Sequence, residues 1–282
     1  MGQTAGMRID LHTHSAVSDG TDAPAVLVEH AAEAGLDAIA LTDHDTFDGV
    51  PEAQGAGARV GVVVLGGMEF STRWDNHSVH LLAYGPRVDD PALSAELARV
   101  REGRDGRVPA MIAKLADLGY PLTSDDVSAQ AHGVSVGRPH LADAMVARGY
   151  VRDRDEAFAC FLDDAGPAFV DRYATPLLEA VGLVKRAGGV AVVAHPWGRG
   201  ARGVLGEGVI VRLAEAGLDG LEVDHPDHDA AAREQLRGLA YRHGLLVTGG
   251  SDHHGTGKKH NPLGAGLTDP LVLEEILRRI AG

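Results

Sequence analysis

Four glycines constrain this chain more than any other feature. Gly35, Gly188, Gly217 and Gly244 each stand between an amphipathic stretch and a short apolar run. A glycine just past a helix accepts the left-handed conformation that ends it, so each marks a helix stopping shortly before a strand begins. The expected helices cover 24–34, 175–187, 205–216 and 229–243, with Thr175-Pro176 read as a cap followed by proline in the first turn. The expected strands cover 8–11, 38–42, 60–65, 79–84, 190–194, 220–223 and 245–248. Short strands alternating with helices make βα units around a mainly parallel sheet, and about seven of them suit a closed or nearly closed barrel.

The middle of the chain breaks this rhythm. Between residues 90 and 164 the apolar spacing is helical throughout and no strand stands out. Leu93, Leu97, Val100, Val108, Met111, Ile112, Leu115 and Leu118 fall at helical intervals, with Gly103, Gly106 and Pro109 interrupting them. The expected organisation is therefore a barrel from 1–89 and 165–282, with a helical insertion at 90–164 covering the mouth where the βα loops carry a site.

Composition removes several alternatives. Of 282 residues 44% are apolar, enough for an ordinary core, and the single cysteine rules out both an intrachain disulfide and a thiolate-rich zinc site. Cys160 itself reads as a core residue. No apolar run approaches the ~20 residues of a membrane span, and residues 1–8 lack the apolar segment of a secretory signal, so a cytoplasmic location is expected. Twenty-six Lys and Arg against 40 Asp and Glu leave a net charge of −14, which argues against wholesale nucleic-acid binding but not against a local basic pocket. The glycine-rich stretches at 198–208 and 264–266 match no Walker or dinucleotide fingerprint.

Fifteen histidines accompany this acid, and their placement matters more than their number. Asp10-Leu11-His12-Thr13-His14 ends the first strand; residues two apart on an extended chain face the same way, so both imidazoles can reach one ion. Asp19 follows in a Ser-Asp-Gly turn. Thr42-Asp43-His44-Asp45 ends the second strand, the third leads to Glu69, His80 begins the fourth, and Ala194-His195-Pro196 and Gly250-Ser251-Asp252-His253-His254 end two more. Active sites of parallel α/β folds lie at the C-terminal ends of strands. Burying that many titratable groups together without a partner would cost several kcal/mol per unpaired charge, so a multinuclear metal site is expected. Imidazole and carboxylate without thiolate suit Mn²⁺, Zn²⁺ or Fe²⁺. Arg138, at the start of an expected helix in Gly137-Arg138-Pro139-His140, is a candidate phosphate ligand. Arg172 and His225 are weaker candidates, Lys258-Lys259-His260 reads as solvated lysines or a basic lip, and His30, His132 and His243 read as ordinary helix or surface residues.

In this order and spacing the motifs resemble the polymerase-and-histidinol-phosphatase (PHP) superfamily of metal-dependent phosphoesterases over almost the whole chain. The resemblance extends to the branch with a helical insertion, which includes nucleoside 3′,5′-bisphosphate phosphatases and enzymes that trim short RNAs from the 5′ end. It implies a distorted (β/α)7 barrel holding three divalent metals, Mn²⁺ favoured. His12, His14, Glu69 and Asp252 would bind the first, Glu69, His80 and His195 the second, and Asp19, His44 and His254 the third. The nucleophile would be a hydroxide bridging the metals. Arg138, His140, Arg172 and His225 would face the substrate phosphates, His225 also being a candidate acid. The expected partner is a small phosphorylated nucleotide or a short RNA, with no membrane and no obligate protein partner. His253 departs from the branch, where a bulky apolar residue is common.

Overall fold

The computed structural model describes residues 6–130, 136–163, 165–256 and 261–282, with side chains at all of these except 199–201. His132 and Lys258-Lys259-His260 lie outside the described residues. The chain forms two compact units, the first Met1–Leu97 with Thr175–Gly282 and the second Ala98–Ala174, where the sequence places the insertion at 90–164.

The first unit is the barrel. In chain order it contains β1 (Ile9–Thr13), α1 (Pro24–Glu33), β2 (Ala38–Leu41), α2 (Val50–Val60), β3 (Val63–Trp74) and β4 (His77–Tyr84). The helix α3 (Pro91–Asp117) follows, and then α4 (Ser124–Ser128), α5 (Arg138–Ala147) and α6 (Arg154–Ala157). The barrel resumes with β5 (Thr175–Pro176), α7 (Leu177–Arg186), β6 (Val190–Val193), α8 (Glu207–Glu215), β7 (Gly220–Asp224), α9 (Ala230–Arg242), β8 (Leu246–Gly249) and α10 (Pro270–Ala281). The sheet runs β1-β2-β3-β4-β6-β7-β8, with the two-residue β5 paired to β3. It is a distorted, nearly closed barrel. Every pairing on that main path is parallel except those of β4, which runs antiparallel to both β3 and β6. Beyond β8 the circle is drawn together by a parallel bridge between Thr13 and His253. Asp252 N–H donates to His12 O at 2.9 Å and His14 N–H to His253 O at 2.9 Å.

One face of the strands packs Ile9, Leu11, Ala38, Ala40, Leu82, Tyr84, Val190 and Val192 into an apolar cluster that also takes Leu273 and Ile276 of α10. The opposite face of β2, through Ile39 and Leu41, packs with Leu27, Val28 and Ala31 of α1 and Ala53 and Ala56 of α2. Alternation along each strand therefore leaves one face for the interior and one for the helices.

Four expectations are corrected. Val60 ends α2 instead of opening a strand: Gly61, at φ 82°, caps that helix, and β3 begins at Val63. The helix is hard to see because its buried face is only Ala53, Ala56 and Gly57. A Cβ on Gly57 would lie 2.4 Å from the carbonyl oxygen of Val62, so close contact and not apolar bulk seats α2. Thr175-Pro176 forms a short parallel strand beside Thr72-Arg73, and the Thr175 hydroxyl donates to Glu96 at 2.8 Å, so it does not cap α7. Gly103, Gly106 and Pro109 do not break α3, which continues through Pro109 to Asp117. Cys160 is exposed. It lies in a π-helical turn, Phe158–Leu162, where the wider five-residue step puts Ala157 and Leu162 on the buried side and turns Cys160 outward.

The second unit has its own core, built from Met111, Leu115, Val127, Leu141, Met145 and Leu162 with Tyr120 and Phe161 against it. No strand occurs in it among the described residues. No helix of the described residues is long and apolar enough to cross a membrane.

Candidate metal centre

The strand ends carry the chemistry. His12 lies at the end of β1 and His14 just beyond, after the β1–β2 register shifts between Asp10 and Thr13. The loop after His14 must fold back on itself: a Cβ on Gly20 would lie 2.6 Å from the carbonyl oxygen of His14, which only glycine tolerates. Buried Asp43 pins that loop, accepting from the Ser15 and Ser18 hydroxyls at 2.6 Å each, and so places Asp19. His44 bridges to Glu69 beside β3, and His80 sits on β4 opposite Ser71. His195 follows β6, while Asp252 and His254 follow β8. Among the described residues, three of the four non-glycine residues with positive φ lie at these strand ends: Asp45 at 57°, His195 at 29° and Asp252 at 53°. Such conformations cost of order 1–3 kcal/mol each and persist where the surroundings over-determine them.

The structure brings all nine candidate ligands together. His12 Nε2 and His14 Nε2 are 3.1 Å apart. Glu69 Oε2 lies 3.5 Å from the first and 3.2 Å from the second, and Asp252 Oδ1 lies 3.4 and 3.3 Å from them. Four donors at about 2.0–2.1 Å from one tetrahedral ion would stand about 3.3–3.4 Å apart. These five separations fit that polyhedron.

Glu69, only 1% exposed, uses its two oxygens on different histidines. Oε2 faces His12, His14 and, at 3.2 Å, His44 Nδ1. Oε1 lies 2.6 Å from His80 Nδ1 and 3.1 Å from His195 Nε2. A third grouping gathers on Asp19, with His254 Nε2 at 3.1 Å, His44 Nε2 at 3.6 Å and His14 Nδ1 at 4.0 Å. The buried ring nitrogens His14 Nδ1 and His80 Nδ1 have no partner in hydrogen-bonding geometry. Lone pairs left open in a buried acid–imidazole cluster fit divalent cations.

Charge supports the same conclusion. Burial drives the Glu69 and Asp252 carboxyls up, yet the surrounding imidazoles outweigh it and hold both well below the usual range. Burial likewise disfavours charge on His12, but Glu222, Glu69 and Asp252 raise it well above an ordinary imidazole. The same balance carries His14 to about 9. For His44 and His195 burial wins, and both are lowered. Protons on His12 and His14 thus do the neutralising that a cation would do.

The candidates for substrate contact divide between the two units. Arg138, His140 and Arg172 belong to the second unit. There the Arg138 guanidinium donates to Leu162 O at 3.2 Å and stands 5.8 Å from the Phe158 and Phe169 rings, and His140 Nδ1 accepts from Gly137 N–H at 3.1 Å. Arg172 N–H donates to Asp171 at 2.9 Å. His225 belongs to the barrel, its Nε2 3.8 Å from Asp252 Oδ2. His253 Nδ1–H donates to the carbonyl oxygen of Asn261 at 2.7 Å. His30 and His243 are held by Asp22 and Glu207 at 3.0 and 3.1 Å.

One residue escapes sequence reasoning. Glu222, fully buried on β7, lies 3.0 Å from His12 Nδ1 and accepts the His195 backbone N–H at 2.8 Å. Its signal is an acid inside the apolar run Leu221-Glu222-Val223, where a charge needs a partner.

A family model described as the PHP domain matches residues 10–120. A 3′,5′-nucleoside bisphosphate phosphatase of Chromobacterium violaceum is 35% identical over 273 residues, covering 96% of each chain. The chain belongs to the PHP family. A 5′-3′ exoribonuclease of Haemophilus influenzae is 32% identical over 247 residues, covering 88% of this chain and 90% of that one. Among solved structures, a metal-dependent phosphoesterase of Bifidobacterium adolescentis superposes with a TM-score of 0.91 at 38% identity over 98% of both chains. As a PHP protein the chain is a metal-dependent phosphoesterase, and its histidine–carboxylate clusters are those that can hold the metal.

Proposed function

We propose that the protein removes the 3′-phosphate of nucleoside 3′,5′-bisphosphates, yielding the nucleoside 5′-monophosphate and inorganic phosphate. The observation that carries the chemistry is Glu69, whose two oxygens face separate sets of histidines within one buried cluster. The choice of substrate rests on likeness along the whole chain to a nucleoside bisphosphate phosphatase.

In this reading His12, His14, Glu69 and Asp252 would hold one ion, Glu69, His80 and His195 a second, and Asp19, His44 and His254 a third, with Mn²⁺ favoured over Zn²⁺ or Fe²⁺. Bound cations would supply Lewis acidity toward the phosphoryl oxygens and acidify water for in-line attack. The chain's own contribution is orientation and a hydrogen bond to the leaving group. His225 Nδ1 accepts the Asp227 N–H at 3.0 Å, so the neutral ring carries its hydrogen on Nε2. That Nε2–H is buried beside Asp252 without a hydrogen-bond partner. His225 is thereby set to donate a hydrogen bond to the departing 3′ oxygen as the P–O bond breaks, while water supplies both the oxygen that joins phosphorus and the proton that the 3′ oxygen takes up. Arg138, His140 and Arg172 are candidates to face the substrate phosphates on chemistry, a guanidinium fork matching a phosphate's oxygens and an imidazole offering a single N–H.

The test is substrate preference with added Mn²⁺. Adenosine 3′,5′-bisphosphate should release phosphate with kcat/KM well above that of aryl or sugar phosphates. Turnover of aryl phosphates with none of bisphosphates would overturn the reading. The likeness to an exoribonuclease supports a second reading, and 5′-phosphorylated oligoribonucleotides yielding mononucleotides faster than the bisphosphate releases phosphate would favour it.

A further inference from the structure

We infer that Glu222 is a positioning residue that fixes how two histidines on opposite sides of Glu69 present themselves to the metals. The inference rests on the metal-centre reading and not on the choice of substrate.

Glu222 is fully buried on β7, and both its oxygens face nitrogen. Oε1 stands 3.0 Å from His12 Nδ1, and Oε2 accepts the backbone N–H of His195 at 2.8 Å. An ionised carboxylate only accepts, so His12 Nδ1 must carry the hydrogen. In the neutral ring that a metal requires, the lone pair is then on Nε2, the side of His14, Glu69 and Asp252. The second oxygen anchors His195 at φ 29°, a backbone conformation that a residue with a side chain rarely adopts unaided. His195 Nε2 then meets the other oxygen of Glu69 at 3.1 Å. One carboxylate therefore sets the tautomer of one histidine and the backbone of another.

The surroundings are shaped for this. A Cβ on Gly250 would lie 2.3 Å from His12 Cβ and 2.8 Å from Glu222 Oε1, so a glycine there leaves the room in which ring and carboxylate meet. Although His12, Glu222 and His225 stand close enough together to suggest a cation of their own, each oxygen of Glu222 already has its nitrogen partner. Acceptor, not ligand, is the role this geometry assigns. Carboxylates behind a ligating histidine fix its orientation and raise its basicity, and losing one typically weakens metal binding about 10–100-fold.

Glu222→Gln tests the idea while keeping the volume. Glutamine has one acceptor for two N–H groups. The His195 backbone N–H cannot become an acceptor, so it takes the amide oxygen, and the amide NH₂ turns to His12 Nδ1. His12 must then accept at Nδ1 and carry its hydrogen on Nε2. Zinc titration by calorimetry, with bound metal counted by elemental analysis, should show about 10–100-fold weaker binding at one ion. Histidine-selective ¹⁵N NMR of the metal-free proteins, read where the His12 ring is neutral, should show its hydrogen on Nδ1 in the wild type and on Nε2 in E222Q, a difference that mere loss of stability would not produce. Should the variant fail to fold, zinc-loaded wild type still decides: His12 must carry hydrogen on Nδ1 and bind through Nε2. An E222Q protein with wild-type zinc affinity, or a loaded wild type lacking that hydrogen, overturns the inference alone. A wild type that takes up no metal overturns the metal-centre reading together with it.

Discussion

The barrel unit buries Asp10, His12, His14, Asp43, Glu69, Glu222, His225, Asp252 and His254, whereas the described residues of the helical unit bury only Arg107 and His140 among polar side chains. The helical core is otherwise Met111, Leu115, Leu141, Met145 and similar apolar groups. Both units have an apolar core, and the barrel adds to its own a charged interior that the described residues of the helical unit lack. Apolar packing is indifferent to protons and ions, while a buried set of acids and imidazoles is stable only when its charges balance. The barrel must take up either protons or cations, and that requirement couples its structure to its chemistry.

The sharpest way to break this comparison is at Glu69. Glu69→Gln removes the carboxylate whose two oxygens face separate histidine sets, and should cut phosphate release by about 10³-fold or more, since bound cations contribute several kcal/mol to the transition state. Bound metal, counted by elemental analysis, should fall with it, while the helical core is untouched. The converse change is Met111→Ala, which leaves a hole in the helical core. It should cost about 2–5 kcal/mol in urea denaturation and leave metal content at the wild-type value. If it emptied the metal centre instead, the barrel's charged interior and the helical core would not be separable in this way.

A smaller effect distinguishes protons from cations. His14 is raised to about 9, so the metal-free protein carries its proton at pH 7 and must release it when a cation arrives. Apparent metal affinity should therefore climb about tenfold per pH unit for that proton between pH 7 and 9, then level off. The sign reverses for the metal-free fold. A raised histidine stabilises it fully below pH 6.5 and ceases to do so as the pH rises through about 9. Calorimetry in two buffers of different ionisation enthalpy measures the released proton directly. Met111→Ala should show the same pH profile.

Much of the barrel and its metal centre is legible in the sequence because strand-end motifs are local. His12 and His14 sit two apart, and Asp252 and His254 likewise, so the side they share follows from strand and turn geometry. Glycines at helix ends mark the βα rhythm for the same reason. What escapes depends on contacts distant in sequence or on close packing without apolar bulk. Glu222 meets His12 across 210 positions, a pairing that no local pattern encodes. The α2 helix buries alanine and glycine and carries little periodic apolar signal. Cys160 reads as a core residue only on an α-helical step, and the turn that carries it is π-helical. The antiparallel course of β4 has a local cue in the Asp75-Asn76 turn, with Asp75 at φ 50°, but the alternation of strands and helices on either side favours a parallel reading.

If the barrel's buried acid and imidazole exist to hold divalent cations, anomalous diffraction at the manganese edge, from crystals grown with Mn²⁺, shows it most directly. Peaks are predicted among His12, His14, Glu69 and Asp252, beside Glu69 with His80 and His195, and at Asp19 with His44 and His254. A metal-replete crystal with no anomalous peak in this cluster, and its histidines still paired to the carboxylates, would contradict it.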